Sequence, residues 1–124
     1  MPKRILLAED DEDNRDLVKF VMKRSGMEIE LLVAENGQEA VELALKEVPD
    51  LVLMDMQMPV MDGFQATQLI KANGATAHIP VIAFTAQAKA EDRARTLGVG
   101  CVEHYSKPMD PQELLNVIRK YLNE

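Results

Sequence analysis

Five residues along this chain have the chemistry to handle a phosphoryl group: acids at Glu9, Asp10 and Asp55, a hydroxyl at Thr85 and an ammonium at Lys107. Each follows a short strand-like run: ILLA before Glu9, LVLM before Asp55, VIAF before Thr85 and EHYS before Lys107. Open parallel α/β sheets bind ligands at the carboxyl ends of their strands, so residues in these positions converge on one edge. A carboxylate there can act as nucleophile, neighbouring acids can hold a divalent cation, and a lysine and a threonine can meet phosphoryl oxygens. Like charges ~4 Å apart repel by ~1 kcal/mol in water and by ~4 kcal/mol at an effective dielectric near 20, so clustered acids call for a cation. Mg2+ fits, because it takes one or two carboxylates, keeps several waters and leaves positions for phosphate oxygens. Asp10 and Asp55 are the expected direct ligands, with Glu9 acting through water. Asp11, Glu12 and Asp13 are expected outside the pocket, Asp13 as the N-cap of the first helix and the others solvated or favoured by its dipole.

The elements that position these residues alternate strand with helix, the pattern of a parallel sheet covered on both faces. Strands are expected at Arg4 to Ala8, Ile29 to Ala34, Leu51 to Met54, Pro80 to Phe84 and Glu103 to Ser106. Three of them are apolar throughout, as burial of both faces requires. Inward stripes are read at Leu17, Val18 and Val21 in the first helix, and at Val41, Ala44, Leu45 and Val48 in the second. The third carries Phe64, Leu69 and Ile70, and the fifth carries Leu114, Ile118 and Tyr121. Asp110, Pro111 and Glu113 mark the start of the fifth as N-cap, first helical residue and capping-box partner. The fourth helix, about Lys89 to Leu97, offers only Ala90, Ala94 and Leu97, so it is expected to bury the least apolar area and to be the loosest.

Composition sets the class. The 124 residues, 47% hydrophobic, are enough for one domain over 1–124 and too few for two. The formal charge of −7 opposes a polyanionic partner, so direct nucleic-acid binding is not expected. The apolar start is too short for a signal peptide and no run approaches a membrane span, so a soluble, cytoplasmic protein is expected. Cys101 is the only cysteine, which rules out an internal disulfide, and it reads as a small buried hydrophobe. Asp62 reads as the cap of the third helix, and His78 as a loop residue. Met54, Met56, Met58, Met61 and Met109 read as packing. His104 has no Cys or His partner at zinc-ligand spacing.

Glu9-Asp10, Asp55 within LMDMQMPVMDG, Thr85-Ala86 after VIAF, and Lys107-Pro108, in this order and spacing, resemble the receiver domain of bacterial two-component response regulators. The resemblance spans essentially the whole chain. It implies a five-stranded parallel sheet of order 2-1-3-4-5 in a flavodoxin-like (βα)5 sandwich. It further implies that Asp55 accepts a phosphoryl group from a histidine kinase or histidine phosphotransfer protein. Mg2+ would be held by Asp10, Asp55 and the backbone carbonyl of Gln57, Lys107 would pair with the phosphoryl oxygens, and Thr85 would act as the switch. The family usually has Tyr or Phe three positions before the lysine, where this chain has His104 followed by Tyr105. Either ring could take the aromatic role, or neither. IPVIAFTAQA, GC and KPMD lean toward receivers of hybrid kinases and phosphorelay shuttles. A single-domain regulator and a fragment of a larger protein are both compatible with the chain, signalling to a protein target as a monomer or a phosphorylation-dependent dimer.

Two other activities fit the residues less well. A haloacid-dehalogenase-type phosphatase needs a second Asp two residues after its nucleophile, where this chain has Gln57. A flavin-binding protein needs a phosphate-cradling loop after the first strand, and here that loop is acidic.

Overall fold

The computed structural model of the chain describes residues 2–86, 90–107 and 109–123. Five strands, β1 (Lys3–Ala8), β2 (Ile29–Ala34), β3 (Leu51–Asp55), β4 (Val81–Thr85) and β5 (Glu103–Ser106), alternate with five helices. The helices are α1 (Glu12–Arg24), α2 (Gly37–Glu47), α3 (Gly63–Ala72), α4 (Ala90–Gly98) and α5 (Pro111–Leu122). All pairings are parallel and the order is β2-β1-β3-β4-β5, as expected from the resemblance. The expected start of the fourth helix at Lys89 lies outside the described residues, as does Pro108, and no side-chain description covers Ala90.

Strand periodicity divides the core in two. Ile5, Leu7, Leu51, Leu53, Ile82 and Phe84 point to one face, where they meet Val18, Val21 and Met22 of α1 and Leu114, Val117, Ile118 and Leu122 of α5. Leu6, Ala8, Val52, Met54, Val81 and Ala83 point to the other, beneath Ala40 and Ala44 of α2 and Ala66 and Ile70 of α3. By the same alternation Glu9 continues the Ile5–Leu7 face and Asp55 the Leu51–Leu53 face, so the two carboxylates emerge on the same side of adjacent strands.

Several local expectations are corrected. The α1 cap is Asp11 rather than Asp13: Asp11 keeps an extended backbone and its carboxylate accepts from Asp13 N at 2.8 Å. Asp13 thus joins Glu12 in the first turn, where the helix dipole favours acids. In α2, Leu45 and Val48 are exposed, and the buried line is Gly37, Ala40 and Ala44. Leu69 of α3 is likewise exposed, while Ala66 and Thr67 face inward. In α5, Asp110 caps through Gln112 N at 3.0 Å rather than through the third residue of the helix. Among the described residues of α4, Ala94 is exposed, Leu97 is 42% exposed and Thr96 is buried. Thr96 Oγ1 lies 2.8 Å from both the Arg93 carbonyl and His104 Nδ1, and the Arg95 guanidinium stacks 3.7 Å over the Phe64 ring. Polar and cation–π contacts therefore seat the described part of α4, where only the sparse inner face of Ala90, Ala94 and Leu97 was expected.

Val48 ends α2 in the left-handed region at φ 43°. That conformation costs an L-residue about 1–2 kcal/mol, of which glycine's greater unfolded-state freedom cancels part. The side chain is 41% exposed, so little packing is at stake. Val48→Gly is expected to raise the unfolding free energy by about 0.5–1 kcal/mol, measured by urea titration.

Candidate functional site

The carboxyl ends of β1, β3, β4 and β5 open into a cleft of about 250 Å3 whose lining includes Glu9, Asp10, Asp55, Gln57, Ala86 and Lys107. Lys107 Nζ lies 2.7 and 2.8 Å from the two oxygens of Glu9 and 3.0 Å from Asp55 Oδ2. Gln57 N donates to Asp55 Oδ1 at 3.1 Å, so each oxygen of Asp55 has a donor. Thr85 is buried at the end of β4, one step beyond Phe84, the residue in register with Asp55. The Thr85 carbonyl accepts from Lys107 N at 2.8 Å, which fixes where the lysine leaves β5.

Glu9 is held from several sides that the sequence did not reveal. Asn14 Nδ2 donates to its Oε1 at 3.1 Å, Asp11 N donates to the same oxygen at 3.3 Å, and Arg15 donates to its backbone carbonyl at 3.0 Å. Asn14 stands in the first turn of α1, which reaches back over the end of β1. Polar residues at that turn are the signal that would have found it.

Charge is concentrated here in little solvent. Burial pushes the Asp55 carboxyl up from an ordinary 3.8 to about 6, and the charge of Glu9 adds to this, while the Gln57 N–H and Lys107 act against it. Burial also disfavours the Lys107 ammonium, but its hydrogen bond to Glu9 and the charge of Asp55 outweigh that and hold its pKa above the ordinary value. Glu9, Asp10 and Asp55 each present an oxygen within 4.8 Å of the others, and no other group of three potential ligands occurs among the described residues. That spacing suits a small oxygen-liganded ion held directly by two carboxylates and through water by the third.

The other candidates stand apart. His104 is buried against Thr96, while Tyr105 points to the opposite side of β5, its ring 6.4 Å from that of Phe84 and its hydroxyl 2.6 Å from Glu103. β5 spans Glu103–Ser106 as expected, with no shift by a residue that would bring Tyr105 to the place of His104. Cys101 is buried and its thiol is pushed up to about 11, which leaves it a small core residue. Asp62 caps α3 by accepting from Gln65 N at 2.9 Å, and His78 is an exposed turn residue.

Comparison with known proteins gives a consistent answer. The family model for the response regulator receiver domain matches residues 5–119. The polar-differentiation response regulator DivK of Brucella anthropi is 38% identical over 124 residues, covering 100% of this chain and 99% of that protein. Hybrid signal transduction histidine kinase G of Dictyostelium discoideum is 39% identical over 119 residues, which is 95% of this chain but 4% of the kinase. The receiver domain of sensor histidine kinase PA1611 from Pseudomonas aeruginosa PAO1, solved with a magnesium ion coordinated in its active site cleft, superposes with a TM-score of 0.90. It is 30% identical and both chains are covered in full. No described helix is long and apolar enough to cross a membrane. The match over nearly the whole chain, on a sheet of the same order, establishes that this chain belongs to the response regulator receiver domain family of two-component signalling.

Proposed function

We propose that Asp55 is the phosphoacceptor of a switch that takes its phosphoryl group from a histidine kinase or a histidine phosphotransfer protein. The observation that carries this reading is the placement of Lys107 3.0 Å from Asp55 Oδ2 in a cleft shared with Glu9 and Asp10. A carboxylate oxygen of Asp55 attacks phosphorus, the bond from phosphorus to the donor's nitrogen or oxygen breaks, and the donor leaves with the electron pair and takes a proton. Lys107 moves from Asp55 to the incoming phosphoryl oxygens while keeping Glu9. The Gln57 N–H holds the Asp55 oxygen to which it already donates, so the carboxylate presents the other. Asp10, Asp55 and the Gln57 carbonyl would hold Mg2+, with Glu9 through water. Bound there, the ion supplies neutralisation of the charge that gathers on the phosphoryl oxygens.

Thr85, buried at the end of β4 immediately before Ala86 of the cleft lining, is the switch residue in this reading. Its hydroxyl turns toward the phosphoaspartate and draws the following loop with it, and α4, β5 and α5 carry the change to a protein target. Incubation with a small acyl phosphate and Mg2+ should add one phosphoryl group, labile to hydroxylamine, on the peptide containing Asp55. A stable label, or a label on another peptide, would defeat the reading.

A further inference from the structure

The loop between β3 and α3, residues 56–62, carries Gln57 to the cleft, and two glycines close it, Gly63 at its own end and Gly37 from the start of α2. Gly63 N donates to the Met56 carbonyl at 3.1 Å, and a Cβ on Gly63 would lie 2.2 Å from the Asp55 carbonyl oxygen. Gly37, the first residue of α2, donates its N–H to the Met61 carbonyl at 2.9 Å, and a Cβ there would lie 2.2 Å from that oxygen. The nearest atom met is a backbone oxygen in both cases, so neither approach can be relieved by turning a side chain alone.

Neither partner of the Gly37–Met61 contact is free to move. The α2 start is held by two bonds: the N-cap Asn36 accepts from Glu39 N at 2.9 Å, and the Glu39 carboxylate accepts from Glu35 N, one residue before the cap, at 3.1 Å. Gly37 N is therefore a helix-end donor with a fixed direction, and Met61 receives it. On the loop side, Met61 N donates to the Pro59 carbonyl at 2.7 Å across Val60, whose φ is 69°. That is a γ-turn with a β-branched residue in the left-handed region, a conformation kept only where its surroundings enforce it. Val60 is 77% exposed, so its own packing does not enforce it.

We propose that Gly37 is a positioning residue for the Asp55 site: its N–H and its missing side chain hold the Met61 carbonyl, keep the Val60 turn wound and thereby set where Gln57 meets Asp55. The proposal rests on the phosphoacceptor reading above, and it adds a dependence of that site on the start of a helix that contributes no group to the cleft. Its test uses Gly37→Ala, with Gly74→Ala as control because nothing lies within 4 Å of a Cβ there. Ile118→Val serves as a variant that lowers stability from the core alone. Gly37→Ala is expected to shift the Gln57 and Met61 amide resonances without metal, and to weaken Mg2+ binding, followed by those resonances, about tenfold. Acyl-phosphate labelling should slow by a similar factor, whereas both comparison variants should retain parental affinity and rate. Should Gly37→Ala not fold, Val60→Pro, on the exposed tip, gives the second reading: proline cannot adopt the φ of 69° that the turn requires, so faster hydrogen exchange at the Gly37 amide and Mg2+ binding weakened about threefold are expected. Parental Gln57 resonances and Mg2+ affinity in Gly37→Ala, or in Val60→Pro if that is the variant read, would overturn the proposal. A parent protein that binds Mg2+ but takes no label would instead overturn the phosphoacceptor reading, leaving the resonance and affinity tests of Gly37 intact.

Discussion

Asp55→Asn is expected to abolish phosphoryl labelling and, in metal-free buffer at pH 7, to make the fold more stable by about 2 kcal/mol. Both effects come from one carboxylate. Burial, and then the charge of Glu9, lift Asp55 from 3.8 to about 6 in the folded protein. Between about pH 4 and pH 6 the folded state therefore holds a proton that the unfolded chain has released. Stability falls as pH rises through that window and levels off above it. The full difference corresponds to at most ~3 kcal/mol, and ~2 is the better figure at a cleft open to solvent. Asparagine has no charge to desolvate, so its curve lacks this fall. The two proteins should be nearly equally stable at pH 4 and diverge toward pH 7. Mg2+ should narrow the gap, since an ion at one hundred times its Kd adds ~2.7 kcal/mol to the protein that binds it. Urea titrations of both proteins from pH 4 to pH 8, in chelator and in Mg2+, measure all of this. Parallel curves in chelator would mean that Asp55 is not desolvated as its burial indicates.

The sequence announced this site more clearly than the packing around it, for a physical reason. A strand followed by a charged residue is legible in one dimension: ILLA stopping at Glu9 and LVLM stopping at Asp55 place both acids at a sheet edge without reference to any other segment. What holds those acids is not legible in this way. The Lys107 bridge between Glu9 and Asp55, 98 residues from Glu9, depends on how three strand ends meet in space. The α2 stripe was misplaced because periodicity gives weight to large apolar residues. The helix instead lies close to the sheet and to α3 through Gly37, Ala40 and Ala44, leaving Leu45 outside. The same bias hid the seat of α4, where the buried contact is a threonine against a histidine. Nothing in the sequence singles out Gly37, and only the Met61 carbonyl beside it shows why a methyl group is excluded.

Lys107→Ala should move metal binding and phosphoryl transfer in opposite directions. In the metal-free protein this ammonium is the cation that two nearly buried carboxylates share, at 2.7 Å from Glu9 and 3.0 Å from Asp55. Removing one member of such a set ordinarily costs about 3–5 kcal/mol, because the remaining charges stay buried without a counter-ion. Asp55 can limit that cost by taking a proton, so a loss of about 2–4 kcal/mol is expected at pH 7, shrinking toward pH 5. An added divalent ion no longer competes with the lysine for those oxygens, and Mg2+ is expected to bind about tenfold more tightly, corresponding to ~1.4 kcal/mol. Labelling by an acyl phosphate should nevertheless slow by about 10²–10³, the usual loss when one aimed donor is removed from a site of developing charge. Isothermal titration with Mg2+ and a labelling time course on the same preparation separate the two effects. If Lys107 only neutralised its neighbours, saturating Mg2+ would restore the parental rate. A rate still depressed at saturation is what contact between the ammonium and the transferring phosphoryl oxygens requires.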